Sequence, residues 1–302
     1  TATGSDQLSV LNLGTGAGQI GVSGANVSYE GTTIGTVAGG ANGADLVISL
    51  NSAATPAAVQ ALARAIAFAN SSDNPVTNPR SISFTLVDGD GTAAGGSDTG
   101  STTATVTVTS VNDAPVLALG VGNAAFAEAG GAVVVDGLLA LSDVDSSTLS
   151  GATVQITGNY QSGTDTLAFT ASGLTGNIAA GPFDAGTGTL VLTSAGGTAT
   201  VAQWQEALRL VRFDSSSSSP GASRVIAFAV DDGDGGASVS SPQSKTIDIT
   251  EVNSSPTLTG GGAAAFTENG AAVVLDGALV VADPDTSVLA GATVSITTGL
   301  EA

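Results

Sequence analysis

The chain has 302 residues and a net charge of -20, from 26 acidic against 6 basic side chains, which argues against nucleic-acid binding and against docking on an anionic membrane. Cys, His and Met are absent, so no disulfide, thiolate or imidazole ligand, or Ser-His-Asp or Cys-His nucleophile exists, and only oxygen ligands for hard cations remain. With 42 glycines and 4% aromatics, any core is filled by small and β-branched side chains on short strands joined by turns.

The chain does not begin with Met and reads as an internal fragment. No apolar run approaches the ~20 residues of a membrane-spanning helix. In the first third, Thr55-Pro56-Ala-Ala-Val59-Gln-Ala-Leu62 predicts a short helix with a Thr cap and Pro at its first position. Ile82-Ser-Phe84 and Asp88-Gly-Asp90-Gly91 follow, then Val111-Asn112-Asp113-Ala114-Pro115, which reads as a linker.

The middle of the chain carries strand-like runs at 153–157, 166–170, 189–193, 225–230 and 246–252, separated by Gly, Asp, Asn and Ser. Between the third and fourth runs lies one helical segment, starting at Thr200, with Val201, Trp204 and Leu208 at helical spacing. That spacing assigns Trp204 to the core rather than to a ligand platform. Arg209 and its counterpart Arg64 read as ion-pair residues of little energetic weight.

Internal repeats organise all of this. Glu128 to Gly137 returns as Glu268 to Gly277, at an offset of 268 minus 128, or 140. Asp143-Val-Asp145 returns as Asp283-Pro-Asp285, Gly151-Ala-Thr-Val154 as Gly291-Ala-Thr-Val294, and the linker as Val252-Asn253-Ser254-Ser255-Pro256. The first third matches the later half of the middle unit: Arg64 to Phe68 aligns with Arg209 to Phe213, and Ile82-Ser-Phe84 with Ile226-Ala-Phe228. The expected organisation is the C-terminal part of one repeat at 1–112, a complete repeat at 113–252, and the N-terminal part of a third at 253–302. Either the chain is a window onto a longer array, or neighbouring chains complete each other's half-domains by strand addition.

The carboxylates gather in recurring groups: Glu128, Asp143 with Asp145, Asp231 with Asp232 and Asp234, Glu268, and Asp283 with Asp285, beside Asp88, Asp90, Asn112 and Asp113. Crowded carboxylates repel unless a cation neutralises them, and Ca²⁺, with six to eight oxygens in a flexible geometry, suits Asp-x-Asp loops better than Mg²⁺. The alternative is that each Asp-Gly is an ordinary hairpin turn. The pattern is neither an EF-hand nor a glycine-rich nonapeptide array. Ser254, standing where the first linker has Asp113, predicts a weaker second site.

The Val-Asn-Asp-Ala-Pro linker, the early Glu, the Asp-x-Asp loop and the later Asp-Gly-Asp resemble cadherin-like repeats of large bacterial adhesins exported by type I secretion (RTX-type adhesins). The block from Thr200 through Phe213 and Ile226-Ala-Phe228 to Asp232-Gly also resembles chondroitin-sulfate-proteoglycan-type repeats. The resemblance covers essentially the whole chain through short motifs in a fixed order. It implies an all-β fold of tandem Greek-key, cadherin-like β-sandwiches, each with one short helix. It also implies two calcium-binding junctions. The first would use Asp88, Asp90, Asn112, Asp113, Asp143 and Asp145; the second would use Glu128, Asp232, Asp234, Asn253, Asp283 and Asp285. Both linkers hold fewer acidic residues than cadherin linkers do.

The resulting expectation is a non-enzymatic, calcium-stiffened spacer in an extracellular adhesin or surface fibre. Its partners would be neighbouring repeats or identical chains, with a cell-surface or matrix ligand as a further partner. A glycan- or protein-binding module is the rival, although Tyr29, Tyr160 and Trp204 give it few aromatic anchors. A hydrolase using Glu206 has little support, because Glu206 aligns with Ala61 and is not shared between repeats.

Overall fold

A computed structural model describes residues 4–299. The chain divides into two compact units, Thr1–Val111 and Asn112–Ala302. Among the described residues no helix is long and apolar enough to cross a membrane.

The first unit runs β1 (Asp6–Val10), β2 (Ile20–Ser23), β3 (Asn26–Tyr29), β4 (Thr32–Gly39), β5 (Leu46–Leu50), α1 (Pro56–Arg64), β6 (Ile66–Asn70), β7 (Arg80–Val87) and β8 (Thr99–Val106). Its strands form an antiparallel sheet β2-β3-β4-β5 and two pairs, β1-β6 and β7-β8. Ile20, Val27, Ile34, Ala58, Leu62 and Ala65 make a small buried core between sheet and helix. Helix α1 begins as its sequence requires. The Thr55 hydroxyl accepts from the Ala58 amide, and Pro56 occupies the first turn, where its missing N–H is no loss.

The second unit runs β9 (Val116–Ala118), β10 (Ala124–Ala127), β11 (Val133–Val134), β12 (Ala140–Ser142), β13 (Thr148–Leu149), β14 (Gly151–Gly158), β15 (Asp165–Ala168), β16 (Ile178–Ala180) and β17 (Thr189–Ser194). It continues through β18 (Ala199–Thr200), α2 (Val201–Arg209), β19 (Arg212–Ser215), β20 (Ser223–Asp231), β21 (Gln243–Thr250), β22 (Thr257–Thr259) and β23 (Val280–Ala282). A six-stranded sheet, in the order β10-β21-β20-β14-β17-β16, faces a three-stranded one, β11-β19-β15. Apart from β20–β21 and β16–β17, the strand neighbours are not sequence neighbours, and β10 joins β21 in parallel. The fold is all-β: sandwich sheets with, among the described residues, one short α-helix in each unit.

Strict alternation along β20 and β14 places Ile226, Phe228 and Val230 beside Ala152, Val154 and Ile156 on the inner face, all at most 4% exposed. Phe126 of the large sheet meets Phe213 of the small one edge to face, with centroids 5.2 Å apart, so aromatic contact bridges the two layers. Helix α2 closes one side. Thr200 and Gln203 form a reciprocal capping box at its start, and Trp204 is fully buried, its indole N–H donating to the Leu149 carbonyl at 2.9 Å. Each large apolar side chain buried this way stabilises the fold by about 1.5–3 kcal/mol.

An ion pair inside the sandwich repeats between the units. Arg224 enters the core from β20 and is 1% exposed; its Nε and Nη2 donate to Asp165 at 2.5 and 3.1 Å, and its Nη1 donates to the Pro220 carbonyl at 2.6 Å. In the first unit Arg80 donates to Asp6 at 2.8 Å and to the Val76 carbonyl at 2.8 Å. The offset from 76 to 220 and from 80 to 224 is 144 in both cases. Arg80 first, then Asn70, holds the Asp6 carboxyl below its ordinary range.

Candidate functional site

The acidic residues singled out by the sequence occupy loops at strand ends. Asp143 and Asp145 follow β12. The Asp143 Oδ1 accepts from the amides of Asp145 and Ser146 at 3.1 and 2.7 Å, which locks the loop as an Asx-type turn. The Asp231–Asp234 loop leaves β20 and turns at Gly233, whose φ of +84° suits glycine; a Cβ there would also lie 2.8 Å from the Ser150 side chain.

These loops and the entering linker meet at one end of the second unit. The Asn112 amide donates to Asp232 Oδ2 at 2.9 Å and to the Ala237 carbonyl at 3.3 Å. The Asp113 N–H donates to Asp145 Oδ2 at 3.1 Å, and the Ser146 hydroxyl to Asp234 Oδ2 at 2.8 Å. Asn112, Asp113, Asp143, Asp145, Asp232 and Asp234 therefore form one connected network. The family resemblance grouped Asp232 and Asp234 with the second junction, whereas in the structure Asp232 contacts Asn112 of the first linker and Asp234 contacts Ser146. The reason is topological: β20 pairs antiparallel with β14, Asp231 standing opposite Gly151, so the loop leaving β20 lies beside the residues entering β14.

Asp88 and Asp90 belong to the first unit. Asp90 donates its N–H to Asp88 Oδ1 at 3.4 Å, and the Asp88 amide donates to the Asp98 carbonyl, bridging the start of the loop to its end. Around the second linker, Glu128 Oε2 accepts from the Val252 amide at 2.9 Å, and Asp283 Oδ1 accepts from the Asp285 and Thr286 amides at 2.9 and 3.0 Å. Asp285 Oδ2 accepts from the Ser254 amide, the counterpart of the Asp113–Asp145 contact. That contact uses the backbone N–H, so it survives the exchange of Asp113 for Ser254. The Asn253 side chain donates to the Ser254 carbonyl at 3.2 Å. The recurring Asp136 and Asp276 do other work. Asp136 caps the amides of Gly120 and Leu138 and lies 3.2 Å from Lys245, and Asp276 accepts from Gly261, Gly262 and Ala278.

The fit of a hard cation rests on donor chemistry. Among the described residues, three buried carboxylate oxygens accept no hydrogen bond: Asp143 Oδ2, Asp145 Oδ1 and Asp285 Oδ1. Burial pushes the Asp143 carboxyl above its ordinary range, and the neighbouring Asp145 adds to the shift. The orphaned oxygens are on Asp-x-Asp loops, as calcium chemistry requires. Against this, among the described residues no three carboxylates converge as tightly as a formed ion site would hold them. The donor type fits a hard divalent ion, and the spacing of these side chains does not by itself form a site for one.

Glu206, the candidate catalytic acid, sits on α2 and accepts from Arg209 at 3.0 Å at the surface. Arg209 also donates to the Leu139 carbonyl at 2.7 Å, which ties the helix to the loop before β12.

No protein-family model and no curated protein matches the chain. Among solved structures, a cohesin module from a Clostridium perfringens ATCC13124 family 33 glycoside hydrolase is similar at 14% identity, over 47% of this chain and 98% of that one, with a TM-score of 0.30. Domains 4 and 5 of the S-layer protein SbsC are similar at 11% identity, over 82% of this chain and 99% of theirs, with a TM-score of 0.25.

Proposed function

We propose that the chain is a calcium-stiffened spacer from a long extracellular bacterial adhesin or surface fibre, built from cadherin-like repeats. The observation that supports this reading most is the pair of buried, unpartnered oxygens on Asp143 and Asp145, in a network with the linker residues Asn112 and Asp113 and the Asp232–Asp234 loop. Desolvated carboxylates side by side raise the energy of the ion-free state, and a divalent ion removes that cost.

The function is mechanical. Pro115 and Pro256 fix φ in each linker and restrict the residue before them. Calcium held by linker and loop residues freezes the remaining torsions, and each repeat keeps its own core, so added repeats extend reach without new chemistry. Extracellular modules of this kind bind calcium with Kd of about 10⁻⁴–10⁻³ M, which leaves them loose in the cell and stiff outside it. The acidic surface favours solubility before folding.

Titration calorimetry with CaCl₂ tests the assignment. The wild-type chain takes up calcium, and Asp143→Asn/Asp145→Asn loses the tighter class of sites. Calcium uptake unchanged in that variant, or absent from the wild type, removes the reading.

A further inference from the structure

The two linkers reach the complete repeat at opposite ends of its large sheet. Asn112 of the first linker donates to Asp232 at 2.9 Å, and Asp232 directly follows β20. β20 pairs antiparallel with β21, Phe228 standing opposite Gln243, so Asp232 lies beyond the start of β21. The Val252 amide of the second linker donates to Glu128 just past the end of β21. The length of β21, Gln243–Thr250, separates the two places by roughly 25 Å at about 3.3 Å per residue. Tension entering through the linkers therefore acts along the strands.

The strand loaded by the first linker is joined directly to the strand loaded by the second. β10 is the edge of the large sheet and pairs in parallel with β21, from Ala124 opposite Ile247 to Ala127 opposite Thr250. The parallel sense decides the response to force. β10 is drawn by its start and β21 by its end, so the two slide past each other and the hydrogen bonds between them share the force. An antiparallel pair joined to the same linkers would have both loaded ends side by side and would open bond by bond. Side chains reinforce the seam. Before β10, the Asn123 amide donates to both Asp248 oxygens at 3.0 Å, and Lys245 donates to the Gly120 carbonyl at 2.8 Å and lies 3.2 Å from Asp136. After β10, the Glu128 amide donates to the Thr250 carbonyl at 3.0 Å. Phe126 and Ile247 anchor the two strands in the core. Lys245 is the single lysine of the chain, and burying an ammonium in a strand is costly unless its partners use it.

We propose that the β10–β21 seam is a mechanical clamp, which carries tension through the complete repeat and sets the force at which that repeat unfolds. The proposal takes from the spacer reading only the direction of the load, end to end through the linkers. β9, a short strand paired with β12, gives way first and passes the tension to residues 120–127. The chain between β10 and β21 then lies behind the clamp and bears no tension until the seam breaks. Backbone hydrogen bonds, the Asn123 and Lys245 contacts and core packing hold the seam together, so the clamp works with or without calcium.

Single-molecule pulling along two directions tests this, and the chain has no native cysteine to compete with introduced ones. Full-length Val121→Cys/Val252→Cys is pulled from the start of β10 and the end of β21. Full-length Val121→Cys/Ser241→Cys is pulled from the starts of both strands; all three positions are exposed. Both are measured in EDTA with handles on the thiols. Unfolding of the middle repeat releases roughly 400 Å of chain in either case, at up to ~3.6 Å per residue, which identifies the event. The rupture force should be about twofold or more higher in the first geometry, where the bonds fail together rather than singly. Asn123→Ala in the first pair removes the tie to Asp248 and should lower that force. Unchanged melting read from Trp204 shows that each variant is folded before it is pulled. The cysteine-free chain, held by tags at its two ends, should show the same high-force event without any substitution. Equal forces in the two geometries, or a tag-held chain whose middle repeat opens at the lower force, overturns the proposal. Either result leaves the calcium reading intact, and absent calcium uptake leaves the clamp intact.

Discussion

Replacing Arg224 by Met isolates the buried ion pair that both units share. Arg224 and Asp165 have side-chain exposures of 1% and 0%, and Arg224 supplies two of the donors to that carboxylate. Without it, Asp165 keeps the Gln161 amide at 2.7 Å but has no countercharge. Breaking a buried pair from one side costs about 3–5 kcal/mol; the remaining amide donor places this site near the lower figure, about 3 kcal/mol. At about 3 °C per kcal/mol for a domain of this size, the middle repeat should melt roughly 10 °C lower. Trp204 is the single tryptophan and lies in that repeat's core, so its fluorescence reports this transition alone. Arg80→Met makes the same cut where the pair is 16% and 7% exposed and Asp6 keeps Asn70, so about 1–2 kcal/mol is expected in the first unit, with the Trp204 transition unmoved. A loss below about 1 kcal/mol for Arg224→Met, or an equal loss at Arg80, would refute the ranking by burial.

Two further outcomes follow from local geometry. Thr200→Ala removes the hydroxyl that caps α2 and should cost about 1 kcal/mol in urea melts followed by Trp204, with a Ser replacement restoring most of it; an effect within error would mean that packing alone fixes the helix start. Asp143→Asn bears on the raised carboxyl. Because its folded-state value lies above the unfolded one, ionising it destabilises the fold, and the penalty is fully present above the folded value and disappears as pH falls below the unfolded value of about 3.9. In EDTA at neutral pH the variant should therefore be more stable than wild type, with the gap closing on acidification. A wild type that is the more stable of the two in EDTA contradicts the account.

Much of the fold was legible because its signals are local. Thr200 with Trp204 and Leu208, and Thr55 with Pro56, announced both helices, and alternation announced β14, β17 and β20 within a residue or two. The 246–252 run was displaced: β21 covers Gln243–Thr250, since pairing with β20 sets its start at Gln243 and parallel pairing with β10 its end at Thr250. The Arg224–Asp165 pair stayed hidden. Its partners are 59 positions apart, and an Arg in a strand reads as solvent-facing unless its carboxylate is known to lie opposite. Arg80 and Arg224 at a common offset of 144 was the signal available. The acidic network was half legible. Residue types and the linker–loop contact at Asp113 and Asp145 follow from the repeats, but the company that Asp232 keeps depends on the β14–β20 pairing, which no motif encodes.

The central claim is that calcium sets the stiffness of the linkers. Small-angle scattering of the full chain, in millimolar CaCl₂ and again in EDTA, with thermal melts of the same samples, addresses it most directly. With calcium the account predicts a narrow, extended distance distribution and a higher Tm, and with EDTA a broadened, flexible profile and a lower Tm. Identical profiles and identical melts in the two buffers would contradict it.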